Sequence, residues 1–162
     1  MNRNAGEPAH DRPVQVAVIG PGTCTPDEYD AGYCSGRILA LNHAILLCGG
    51  LGGVMEAACR GAREGNGIAV GILPDAAGGN PYLSVIIRSD LGNARNAVIV
   101  QSADAVIAIG GAYGTLSEIA LALKTGKKVF GVRTWDIPGV TPCAGPEEAA
   151  VRALAAARRS PA

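Results

Sequence analysis

The sequence predicts an α/β protein in which an open, doubly wound parallel sheet lies between two layers of helices. Three observations carry this expectation. Short apolar runs alternate with helical patterns along most of the chain, as strand–helix–strand units do. Several of these runs show little inside–outside alternation, which fits parallel strands covered on both faces. Glycine clusters fall where a strand hands over to a helix, as in "IAIGGAYGTLSEIALAL" from Ile107 to Leu123.

Taken in order, residues 1–13 are polar and read as a loose tail, and the end "RRSPA" has the same character. One domain is expected over residues 14–158. The first strand falls at 14–20 (VQVAVIG). The helix after it opens with Thr25 as N-cap, Pro26 at its first position and Glu28 three residues beyond the cap, the pattern of a capping box. The second strand, 44–50 (AILLCGG), leads into the helix VMEAACRGAREGN. The third, 68–74 (IAVGILP), is joined to the fourth, 83–89 (LSVIIRS), by DAAGGNPY, which is too short for a helix. A helix in LGNARNAVIVQSA follows, then the fifth strand at 103–111 (ADAVIAIGG). The helix TLSEIALALKTG places Leu116, Ile119, Ala120 and Leu123 on one face. The sixth strand is 127–133 (KKVFGVR), and the helix PEEAAVRALAAARR opens with acids and closes with arginines, complementing its dipole. The stretch WDIPGVTPCAG, residues 135–145, reads equally as a lid, a sheet edge or a connection, so the sheet has six or seven strands. Since the one link without a helix joins strands three and four, the chain is expected to cross over there. That gives a three-layer, Rossmann-like sheet of order 3-2-1-4-5-6.

Composition narrows the function classes. With one Phe and one Trp in 162 residues, the core must be built from Val, Ile, Leu and Ala. The 23 glycines follow no repeat, which excludes collagen-like and low-complexity chains. Fourteen basic residues balance fourteen acidic ones, without the basic excess of a nucleic-acid binder, so nucleic acid is not an expected partner. A small anionic ligand needs only a local positive site. Five cysteines, none in a C-x-x-C spacing, and the distant His10 and His43 give no metal signature. The cysteines are expected to act as small buried hydrophobes. The polar N-terminus is unlike a secretory signal, and no apolar run approaches 18 residues. A cytoplasmic protein with no membrane partner is the expectation.

In a sheet of this kind ligands bind beyond the carboxyl ends of the strands. That edge gathers Gly20 and Gly22 after the first strand and Gly49, Gly50, Gly52 and Gly53 after the second. It also gathers RSDLGNARN after the fourth strand, and Gly110, Gly111 and Gly114 after the fifth. Helix N-termini offer free N–H groups and partial positive charge, and glycine lets an oxyanion approach the backbone. A phosphate site is expected. The Walker pattern is absent, and the dinucleotide fingerprint fails because Gly20 and Gly22 are followed by Thr25, and Gly50 and Gly52 by Met55. Locally, TLSE reads as a second capping box, with Thr115 as N-cap and Glu118 reaching back to it. The Thr115 hydroxyl also stands at a helix entrance where a phosphate would bind. Arg95 reads either as a solvated helix residue or as a guanidinium turned to the cleft to grip phosphate. Asp90 and Tyr113 lie in the same group of loops.

Together these residues resemble the superfamily of the Lonely guy (LOG) nucleotide phosphoribohydrolases, long labelled lysine decarboxylases, and of the molybdenum cofactor carrier proteins, with DNA-processing protein A as a more distant relative. The resemblance rests on ILLCGGLGGVMEAACRGAREGNGIAVGILP and on ARNAVIVQSADAVIAIGGAYGTLSEIALALKTGKKVFGV, and covers most of residues 14–133. The hydrolases carry an Arg-Lys pair followed by P-G-G-x-G-T-x-x-E. Their arginine, threonine and glutamate fall on Arg95, Thr115 and Glu118. Asn96 replaces their lysine, Gly110 their proline and Ala112 their second motif glycine, so GGAYGTLSE with ARN looks closer to the carrier branch.

The resemblance implies a nucleotide-binding protein that cleaves a nucleoside 5′-monophosphate to free base and ribose 5-phosphate, with Arg95 and Glu118 catalytic. The alternative it implies is a non-catalytic carrier of a phosphorylated cofactor such as molybdenum cofactor. In both readings the ligand is held by the glycines already named with Asn96, Tyr113 and Thr115. No cofactor is required for the hydrolase, and a homodimer is implied. Single-stranded DNA binding is disfavoured by neutral charge and few aromatics.

Overall fold

The computed structural model describes residues 12–159. The tail expected at the N-terminus therefore lies almost wholly outside the described residues, and His10 with it. Seven strands and five helices follow one another. They are β1 (Gln15–Ile19), α1 (Pro26–Leu41), β2 (Ile45–Cys48), α2 (Val54–Glu64), β3 (Ile68–Leu73) and β4 (Val85–Arg88), then α3 (Arg95–Ser102), β5 (Ala105–Ile109), α4 (Tyr113–Lys124), β6 (Val129–Val132), β7 (Val140–Pro142) and α5 (Pro146–Ala157). Every strand pairing is parallel. The expected three-layer, Rossmann-like architecture is the one found.

Alternate residues of each central strand face opposite layers, as the two-residue period of a strand requires. Val16 and Val18 of β1 join a core with α1, α2 and α5, including Leu39, Val54, Cys59 and Leu154. Ala17 and Ile19 join a second core with α3 and α4, including Ile99, Val100, Ile119 and Ala122. The apolar strands without alternation are thus explained by cover on both faces. Cys48 and Cys59 are fully buried, with their sulfurs 3.4 Å apart, while Cys24, Cys34 and Cys143 are only partly buried. Among the described residues no helix is long and apolar enough to cross a membrane.

The sheet order corrects the expectation. It is β4-β3-β2-β1-β5-β6-β7, so the fourth strand lies outside the third, in parallel register from Val70↔Val85 to Leu73↔Arg88. A link without a helix has nothing to cover the sheet faces it would cross, so it returns the chain to the neighbouring slot. The crossing past β3, β2 and β1 is left to the next connection, which contains α3 and delivers β5 beside β1. The stretch 135–145 supplies β7, the opposite edge strand.

The two expected capping boxes part company. At α1 both bonds form: the Glu28 N–H donates to Thr25 Oγ1 at 3.3 Å, and the Thr25 N–H to Glu28 Oε2 at 2.8 Å. α4 instead starts three residues early, at Tyr113, with Ala112 rather than Thr115 as N-cap and no side-chain cap. Thr115 and Glu118 therefore sit inside the helix, three residues apart on its buried face with Ile119 and Ala122, while Ala120 is exposed.

Candidate functional site

The loops after β1, β2, β5 and β6 emerge at one edge of the sheet, and β1 and β5 flank the point where the chain reverses its direction of travel across it. Around the first two loops the glycines serve close packing. A Cβ on Gly20 would come 2.7 Å from the Val54 side chain and 2.8 Å from the Ile109 carbonyl oxygen. Gly53 has φ +62° and is pressed against the backbone of Pro21 and Gly22. Its neighbour Val54 donates its N–H to the Pro21 carbonyl at 3.1 Å. A Cβ on Gly52 would lie 3.2 Å from the Gly22 carbonyl oxygen, and Gly50, at φ +73°, is backed by Leu73. A Cβ on Gly22 itself would meet only the end of the Met55 side chain, at 3.9 Å.

Gly49 does something different. A side chain there would collide with the guanidinium of Arg95, so the missing Cβ makes room for Arg95 at the carboxyl end of β2. Arg95 opens α3 and is buried, only 7 % exposed. Its Nη1 lies 3.9 Å from Oε1 of Glu118 on α4. Burial pushes the Glu118 carboxyl up to about 7, against the attraction of Arg95, because a carboxylate loses its hydration there. Burial also pulls the Arg95 guanidinium below its ordinary value, opposed by Glu118 and by the nearby Cys48; an arginine keeps its proton regardless. Of the two sequence readings of Arg95, the solvated one is excluded.

The loop after β5 is the open one. Gly110 turns the chain at φ +63°, and the Glu28 carboxyl rests against it. That negative charge disfavours an anion at this end. Gly111 has the Trp135 indole beside it, and beyond that residue the loop is free: nothing lies within 4 Å of where a Cβ on Gly114 would be. The first-turn N–H groups of α4 have no side-chain cap. Just inside that turn Thr115 is 2 % exposed, and its Oγ1 has no hydrogen-bond partner among the described residues; nor does Nε of Arg95. Asn96 donates to Ser117 Oγ at 3.0 Å, and Ser117 donates to the Gly114 carbonyl at 2.7 Å, which ties α3 to the start of α4.

The structure thus brings Gly49, Arg95, Asn96, Gly114, Thr115 and Glu118 into one region around α3 and α4. Gly20, Gly52 and Gly53 are closely packed in the first two loops, at the same edge of the sheet. Asp90 is exposed in the loop after the edge strand β4. Sequence reasoning missed Trp135, from the connection after β6. Its ring is stacked with that of Tyr113, with centroids 6.4 Å apart and planes 27° from parallel. The carboxyl-edge rule that selected the other loops, applied to the sixth strand, would have found it. Among the described residues no three His, Cys, Asp or Glu side chains converge as a metal site would require.

Fold and loops together define a Rossmann-like protein with glycine-rich loops and helix N-termini at the carboxyl edge of its sheet. The chain belongs to the SLOG cluster4 family, whose sequence profile matches residues 13–156. An uncharacterised protein of Archaeoglobus fulgidus is 46% identical over 123 residues, 74% of this chain and 80% of its own. The molybdenum cofactor binding protein of Rippkaea orientalis is similar in structure, with a TM-score of 0.81 and 37% identity over 85% of this chain and 93% of that one. The molybdenum cofactor carrier protein of Chlamydomonas reinhardtii gives a TM-score of 0.79 and 30% identity, over 89% of this chain and 99% of its own.

Proposed function

We propose that this protein binds a phosphorylated small molecule at the β5–α4 loop and carries it without turning it over. One observation carries the reading: the buried Thr115 hydroxyl, partnerless in the uncapped first turn of α4. A buried polar group left unpaired costs about 1–3 kcal/mol, and a phosphate oxygen placed against the N–H groups of residues 113–115 would supply the partner. The helix dipole adds to the attraction. The solved relatives described as molybdenum cofactor binding and carrier proteins support such a cofactor as the cargo. The residues around the Thr115 hydroxyl and the uncapped first turn of α4 would hold its phosphate end. Asn96 supports the carrier too, because the lysine of the hydrolases is replaced by a residue engaged with Ser117.

One observation favours the second reading, N-glycosidic hydrolysis of a nucleoside monophosphate. Arg95 and Glu118 meet as a buried pair, and a carboxyl near 7 suits proton transfer at neutral pH. In that role Glu118 would orient water or the ribose hydroxyls and stabilise positive charge developing at the anomeric carbon. Chromatography for free base released from a panel of nucleoside monophosphates, with Glu118→Gln alongside and calorimetry for binding, separates the two. Binding without release supports the carrier. Release by wild type alone establishes hydrolysis. The absence of both, with molybdenum cofactor included in the binding panel, overturns the site. The homodimer belongs to the same proposal; light scattering tests it.

A further inference from the structure

The phosphate reading leaves an aromatic pair at the mouth of the same loop unexplained. The chain has one Trp and four Tyr, and the Trp and one Tyr meet here. Trp135 packs against the core formed with α3 and α4. Its indole nitrogen is turned to Gly111, where a Cβ would come within 2.9 Å of it, and has no hydrogen-bond partner among the described residues. Tyr113, the first residue of α4, is stacked on that anchored ring and yet is 84% exposed. One of its faces is held by Trp135 and the other is open, directly beside the N–H groups that would take the phosphate.

We propose that Tyr113 is a stacking platform for a planar fused heteroaromatic ring, purine or pterin, on the phosphorylated ligand, and that Trp135 is the residue that positions it. A flat aromatic face binds any flat ring by stacking, and rigid aromatic anchors do so at low entropic cost. Phosphate on the helix entrance and ring on Tyr113 fix the two ends of one ligand. The inference rests on the phosphate reading, and the closing experiment keeps the two separate.

The test is calorimetric titration of GMP, a pterin monophosphate and ribose 5-phosphate into wild type, Tyr113→Ala, Trp135→Ala and Trp135→Phe. The wild type should bind at least one ring-bearing ligand tenfold or more tighter than ribose 5-phosphate. Tyr113→Ala should bring that ratio towards one. Trp135→Ala should lower it, and Trp135→Phe, which keeps a ring under Tyr113, should restore it; a residue needed only for folding would lower affinity for all ligands alike. In the wild type, fluorescence of the single Trp should respond to the ring-bearing ligand and not to ribose 5-phosphate. Equal affinities for all three ligands, or a ratio that survives Tyr113→Ala, overturns the platform and leaves the phosphate site standing. Failure of all three to bind overturns both.

Discussion

The loops after β2 and β5 are both glycine-rich and both open a helix, but Gly114 of the second is surrounded quite differently from the glycines of the first. In the first, the protein itself fills the space a side chain would need: Arg95 at Gly49, Leu73 at Gly50, the Pro21–Gly22 backbone at Gly53. In the second, Gly114 faces nothing within 4 Å, and the buried hydroxyl beside it has no partner. A glycine packed against its surroundings and a glycine facing open space look alike in sequence. They differ in what surrounds the absent Cβ.

The sharpest way to break this contrast is to add that Cβ to each loop. Gly53→Ala forces a side chain into a conformation nearly restricted to glycine and onto neighbouring backbone, and should cost roughly 3–4 kcal/mol in urea unfolding. A loss below 1 kcal/mol would mean the first loop is not packed as described.

The second prediction concerns Glu118, where the loops meet through Arg95. Its folded carboxyl lies near 7 rather than the ordinary 4.5, so between those values the folded chain holds a proton that the unfolded chain has released. Stability from this group is full below about 4.5 and falls as pH rises to 7, by about 3 kcal/mol. Glu118→Gln should lack that fall, so the whole of it should appear in the difference between the two stability–pH curves. Parallel curves would show that Glu118 is not buried as a neutral acid.

The smallest effect is expected at Gly114. Gly114→Ala meets no obstacle and replaces a poor helix former, so the ligand-free protein should gain about 0.5–1 kcal/mol. The same methyl group should weaken binding of a phosphorylated ligand severalfold, as read by calorimetry. Lost stability would show that the second loop is as crowded as the first.

These two loops also show what the sequence makes legible. All six expected strands were found near their places, because apolar runs bounded by glycine and polar turns leave few alternatives. Strand order was not readable: DAAGGNPY does not say whether a helix-free link crosses the sheet or returns to the next slot. Thr25-Pro-Asp-Glu28 and Thr115-Leu-Ser-Glu118 have the same local pattern, and only the first is a capping box. Proline fixes the start of α1, whereas α4 begins earlier and turns its Thr and Glu towards α3. The partner that decides this, Arg95, is distant in sequence, as Trp135 is from Tyr113. The resemblance brought Arg95, Thr115 and Glu118 together by motif, but their burial and Gly49's role as the space for Arg95 belong to tertiary packing.

The most direct test of the account is Thr115→Val, a change of nearly equal shape that removes only the partnerless hydroxyl. If that hydroxyl awaits a phosphate, the ligand-free protein should unfold at equal or higher urea concentration, and its affinity for the phosphorylated ligand should fall tenfold or more. A variant that is less stable and binds as well as wild type would contradict the account, and would make Thr115 a structural residue of α4.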